Sequence, residues 1–109
     1  SAQGHALSGE ILLAAERWTE AAMKFELALQ HGSNEIQWYL WRAQAQSNAD
    51  DRSMAIAGLR GGFAKTNSPV LRAALCDNLI TATKHNWTTD REIATSWLEE
   101  ANVIIDELV

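Results

Sequence analysis

The chain has 109 residues, of which 47% are hydrophobic, one is cysteine (Cys76), and the net charge is −5. A chain of this size buries roughly 65% of its unfolded surface, so it builds one domain, or part of a larger one, without disulfides or a structural metal. Nine scattered Lys and Arg residues exclude the concentrated basic patch that nucleic acid or an anionic membrane surface requires.

The apolar pattern recurs with helical spacing throughout and strand alternation is absent, which predicts an all-α domain. The first helix is expected over about Ala2–Glu16, with Ala6, Leu7, Ile11, Leu13 and Ala14 as its stripe. The second begins near Trp18 and carries Ala21, Ala22, Phe25, Ala28 and Leu29. Gly32 suits a left-handed stop. Asn34 followed by Gln37 predicts a capping box opening the third helix, which carries Ile36, Leu40, Trp41 and Ala43 to about Ser47. "NADD" breaks the pattern, and a fourth helix is expected from about Asp51 to Lys65. Ser68-Pro69 is the clearest boundary: the serine caps, and proline at the first helical position has no N–H to leave unpaired. The fifth helix runs to about Lys84. Thr89 with Glu92 predicts a capping box for the last, whose stripe is Ile93, Trp97, Ala101, Ile104 and Leu108. Connections this short make neighbouring helices antiparallel.

Small and large residues recur 34 positions apart. Ala21, Phe25 and Ala28 correspond to Ala55, Leu59 and Gly62. Antiparallel pairs with such a period stack as a solenoid. At these residues the chain resembles the tetratricopeptide repeat (TPR) family. Gly9 holds the family's small position on the first helix, Trp18 the aromatic place at the turn, and Ala21, Phe25 and Ala28 the small–aromatic–small pattern of the second. In the second repeat Tyr39, Ala43, Ala55 and Gly62 fit, while Leu59 replaces the aromatic and Arg42 stands where the family has leucine, as Ser8 does in the first. His5 replaces the leading aromatic, and Ser33 and Asn67 the closing proline. The third repeat is degenerate: Ile93 and Ser96 keep register, but Asp77 stands at a small position. The resemblance implies a right-handed superhelix of about three helix pairs, with repeats over about 2–34, 35–68 and 69–108. A generic helical bundle with small residues at its contacts is the alternative.

"AGLRGGFAK" places Gly58, Gly61 and Gly62 in the fourth helix. Each costs about 1 kcal/mol in a helix interior relative to alanine. A closely packed neighbour is the expected compensation, and the fifth helix is the expected neighbour. The stretch is not a phosphate-binding loop: Ala64 and Leu59 stand where that motif needs glycine. His5, His31 and His85 share no ligand spacing with each other or with Cys76. Cys76 reads as a packed side chain. Asp50-Asp51 and Glu99-Glu100 are adjacent pairs that diverge by about 100° on a helix, so they read as caps or solvated charges. Of five tryptophans, Trp97 is expected in the core, Trp18 and Trp87 at turns, and one of Trp38 and Trp41 exposed, since a short helix also burying Leu40 and Ala43 has little room for both.

The family resemblance implies that the first helix of each pair lines a concave groove. That places Glu10, Gln44 and Asn78 on the groove at successive 34-residue steps, flanked by Gln3, Gln37, Trp41, Ser47 and Thr81. A solvated face is polar in any case, so polarity alone does not separate the two readings. Ala6 and Trp41 occupy the places where carboxylate-clamp members carry basic residues. The expected function is a non-catalytic protein-interaction module, such as a scaffold, adaptor or chaperone, binding a peptide or partner helix. The alternative is a structural or regulatory domain acting through self-association as a homo-oligomer or through packing on a larger chain. No cofactor, metal, nucleic acid or membrane insertion is expected. The single thiol suits the cytoplasm, unless the chain is part of a larger secreted or periplasmic protein.

Overall fold

The computed structural model describes all 109 residues as six helices and no strand. The helices are α1 (Ala2–Ala14), α2 (Trp18–His31), α3 (Ile36–Asn48), α4 (Arg52–Thr66), α5 (Pro69–Asn86) and α6 (Arg91–Leu108). Each packs on the next along the chain, and α3 also packs on α5. None is long and apolar enough to cross a membrane.

The 34-residue period is written into the backbone. α1 and α3 start at Ala2 and Ile36 and end at Ala14 and Asn48, while α2 and α4 start at Trp18 and Arg52, each pair 34 positions apart. The two turns are copies. The N–H groups of Ala15, Glu16 and Arg17 donate to the carbonyls of Ile11, Leu13 and Leu12; those of Ala49, Asp50 and Asp51 donate to Ala45, Ser47 and Gln46. Glu16 and Asp50 hold the same left-handed conformation, with φ of 59° and 61°. The third pair departs: α5 is 18 residues long against 13 for α1 and α3, and α6 starts late.

Helix ends are partly as the sequence predicts. Ser68 accepts from Leu71 N–H ahead of Pro69, and Asp51 accepts from Met54 N–H. Three expectations are corrected. Gly32 is extended (φ −137°, ψ −160°) rather than left-handed; it lets the chain pass where a Cβ would lie 2.6 Å from Ala2 and 3.2 Å from Trp38. Asn34 does not cap α3, because its Oδ1 is taken by the Tyr39 hydroxyl at 2.8 Å, and the helix starts after Glu35 with no side-chain cap. Asp90, not Thr89, caps α6, accepting from Ile93 N–H at 3.2 Å.

Two cores result. One, beneath α1–α3, joins Ala6, Ala21, Ala22, Phe25, Ala28, Ala45 and Trp38. The other spans α3–α6 and is built on Ile56, Leu59, Leu71, Leu75, Leu79, Trp97 and Ile104, with Cys76 packed against its edge. Trp97 is core as expected. Trp38 is only 6% exposed and Trp41 is half-buried, so neither tryptophan of α3 is fully exposed, contrary to expectation. Leu40 yields instead and is itself only half-buried.

The glycine-rich face meets α3, not the expected α5. A Cβ on Gly62 would lie 2.7 Å from the Tyr39 ring, and one on Gly58 would lie 2.8 Å from the Arg42 guanidinium. Tyr39 and Arg42, large side chains three residues apart, require that clearance, whereas α5 presents leucines to α4. The first pair uses the same device in reverse. Gly9 of α1 faces Phe25 of α2, whose ring atoms come within 2.8–2.9 Å of a built Cβ.

Candidate functional site

The expected groove residues fall on α1, α3 and α5. At about 100° per residue, Gln37 and Gln44 lie within roughly 20° of one another on α3, and both are exposed. Glu10 on α1 and Thr81 on α5 are exposed as well, as is Gln3. Trp41 sits at the edge of this face. Its ring packs on Phe25 with centroids 5.5 Å apart and a tilt of 41°, a geometry that favours aromatic pairs. It therefore offers one side to solvent while anchoring α3 to α2.

Asn78 is differently placed. Its Nδ2 donates to Ala74 O at 2.8 Å, and its Oδ1 accepts from Ser47 Oγ at 3.0 Å. The side chain is half-buried and ties α5 to α3. Ser47 and Asn78 are thus brought into direct contact, whereas Glu10 is not joined to them. α1 packs on α2, and the side-by-side contact of α3 with α5 has no counterpart of similar extent between α1 and α3. A ligand on this face would find the exposed amides of Gln37 and Gln44 on α3 and the exposed hydroxyl of Thr81 on α5, with the Asn78 amide committed.

Large apolar side chains are exposed on several helices, including Met23 on α2, Met54 on α4 and Val70 on α5. Leu7 and Ile11, one turn apart on α1, are 60% and 70% exposed, and Val103, Ile105 and Leu108 are exposed on α6. His5 and His31 face each other with ring centroids 5.9 Å apart. The His5 imidazole is held below the ordinary histidine range, chiefly by desolvation and then by the charges of the N-terminus, Lys24 and His31. No three His, Cys, Asp or Glu side chains come together as a group that could hold a metal ion.

Sequence reasoning missed a second feature. Arg42 was legible only as a departure from leucine, and the three glycines only as a packing face. Together they bound an open hollow of about 310 Å³ between α2, α3 and α4. The signal was a basic residue on the same helix face as Tyr39, opposite a helix depleted of side chains.

Compared with known proteins, the chain matches no family model, no curated protein and no solved structure.

Proposed function

We propose that the protein is a non-catalytic interaction module built as a TPR-like right-handed superhelix, and that it takes a peptide or partner helix on the face formed by α1, α3 and α5. The observation that carries this reading is the α3–α5 contact latched by Ser47 and Asn78. It sets the leading helices of the second and third pairs side by side, as a shared groove requires. The duplicated turns at Glu16 and Asp50 support the same stacking, since equal turns give successive pairs equal geometry. Overall dimensions of 39 × 29 × 17 Å accommodate two layers of helices spaced about 8–10 Å apart. Gln37 and Gln44, with free donors and acceptors on one face, suit the backbone of an extended peptide.

Peptides selected by display against the folded protein provide the test. Their binding is expected to perturb backbone NMR signals at Gln37, Gln44 and Thr81, and a Gln37→Ala, Gln44→Ala double variant with unchanged melting is expected to weaken binding at least tenfold. Selected peptides that map elsewhere, or bind the double variant as tightly, would remove the groove assignment.

A second reading draws on Leu7 and Ile11. Two large apolar side chains on one exposed helix face suit a covered surface, in a homo-oligomer or against further chain. Sedimentation across a concentration series separates the readings: a dimer dispersed by Leu7→Gln, Ile11→Gln favours self-association.

A further inference from the structure

The hollow behind α3 is lined by charged and polar side chains and has room for a small group. Arg42 lies about 140–160° around α3 from Gln37 and Gln44, so this site is on the other side of the helix from the proposed groove and is independent of it. The Arg42 side chain is half-buried, with its guanidinium carbon 5.5 Å from the Tyr39 ring centroid. It makes no salt bridge, and its Nε is sealed from solvent with no hydrogen-bond partner. A half-buried guanidinium without an anion is an unfinished arrangement, because its five donors are satisfied best by a carboxylate held in a two-pronged contact.

The rest of the wall fits that ligand. Lys65 adds a second cation and Gln30 an amide, while Glu26 supplies one negative charge. None of Glu26, Arg42 and Lys65 is spent in an ion pair. The site therefore carries one net positive charge in a chain of net charge −5. One carboxylate neutralises it; a phosphate dianion would leave excess negative charge beside Glu26. The glycines make the space. Gly58 lets the guanidinium lie against α4, and the exposed Gly61, with no atom within 4 Å of a built Cβ, keeps that side of the hollow open. A hollow of about 310 Å³ lies at the small end of the range for ligand sites.

We propose that the hollow between α2, α3 and α4 binds a carboxylate group, held by the Arg42 guanidinium and the Lys65 ammonium, from either a small free carboxylic acid or an acidic side chain of a peptide.

The experiment follows the Arg42 side-chain N–H signals of the isotope-labelled 109-residue chain during titration with sodium glutarate and, separately, with a short N-acetylated, C-amidated peptide of glutamates. Sodium chloride of matched ionic strength is the control. A saturable shift of the Arg42 signals is expected with glutarate if the source is a free acid, and with the peptide alone if it is a protein side chain. Gly61→Leu, whose Cβ meets no atom within 4 Å and whose side chain would take up the open space of the hollow, is expected to melt at or above the wild-type temperature and to lose the shift. Lys65→Gln is expected to weaken binding about two- to fivefold, and Arg42→Lys, which keeps the charge but loses the fork, at least tenfold. Gln46 offers the rival account. Its Oε1 also lacks a partner and lies one turn along the same face. Arg42 signals that respond to Gln46→Met but not to either carboxylate overturn the proposal, as does a shift that persists in Gly61→Leu or is matched by chloride.

Discussion

The two cores hold their helices by different means. Beneath α1–α3, five of the seven buried residues are alanines, and cohesion comes from backbones brought close around Phe25 and Trp38. Beneath α3–α6, leucines, isoleucines and Trp97 fill the space between helices with side-chain volume. Alanine contributes little apolar area, so an alanine-rich contact depends on fit rather than on the amount of surface removed from water. α1 is accordingly held mainly by α2 while leaving Leu7 and Ile11 in solvent. The comparison teaches that one repeat period can be satisfied by two packing chemistries, and that the first is more sensitive to an added methyl group than to a lost one.

The largest expected effect falls in the leucine-rich core. Leu79→Ala opens a cavity at a fully buried site and is expected to cost about 2–5 kcal/mol in urea unfolding. By native-state hydrogen exchange of the wild type, amides of α1 are expected to open at a lower free energy than those of α5. Equal protection in the two helices would erase the distinction between the cores.

Next come the glycines that admit a ring. Gly9→Ala and Gly62→Ala each drive a methyl group into an aromatic side chain at under 3 Å, for an expected loss of about 1–3 kcal/mol from overpacking. Gly9→Ala is expected to be the more damaging, because Phe25 is fully buried and all three of its nearest ring atoms lie at 2.8–2.9 Å, whereas at Gly62 only one Tyr39 atom, at 2.7 Å, is closer than 3.0 Å. Melting temperatures in the reverse order would mean that the Phe25 contact yields more easily than the Tyr39 contact.

The duplicated turns give a smaller effect of opposite sign. Glu16 and Asp50 occupy left-handed backbone that side chains disfavour. Glu16→Gly and Asp50→Gly are each expected to stabilise by up to about 1 kcal/mol, and by similar amounts if the turns are equivalent. Thermal melts of the two variants compare them directly.

The smallest effect is a pH dependence confined to the α1–α2 end. The folded chain binds a proton at His5 more weakly than the unfolded chain does, so acid favours unfolding. This contribution is fully present above the ordinary value of 6.5 and is lost as pH falls below it. Urea melts at pH 7.5 and 5.0 are expected to show a slightly shallower acid loss in His5→Gln than in the wild type; identical slopes would remove His5 from the account.

The sequence by itself determined the helices, their order, the Ser68-Pro69 boundary and the 34-residue period. Those features rest on hydrogen bonds and steric preferences that act within a turn or two of the chain. Of the candidate site, the exposed positions Glu10, Gln37, Gln44 and Thr81 were legible for the same reason, since helical spacing alone puts them on polar faces. Only the tertiary structure decided that Asn78 is tied to Ser47, that Asn34 serves Tyr39 instead of capping α3, that Trp38 goes inside, and that the glycines of α4 receive α3 rather than α5. Each of those outcomes depends on which of several competing surfaces fits best. A fit between helices is a property of both partners at once, and no local pattern in either one contains it.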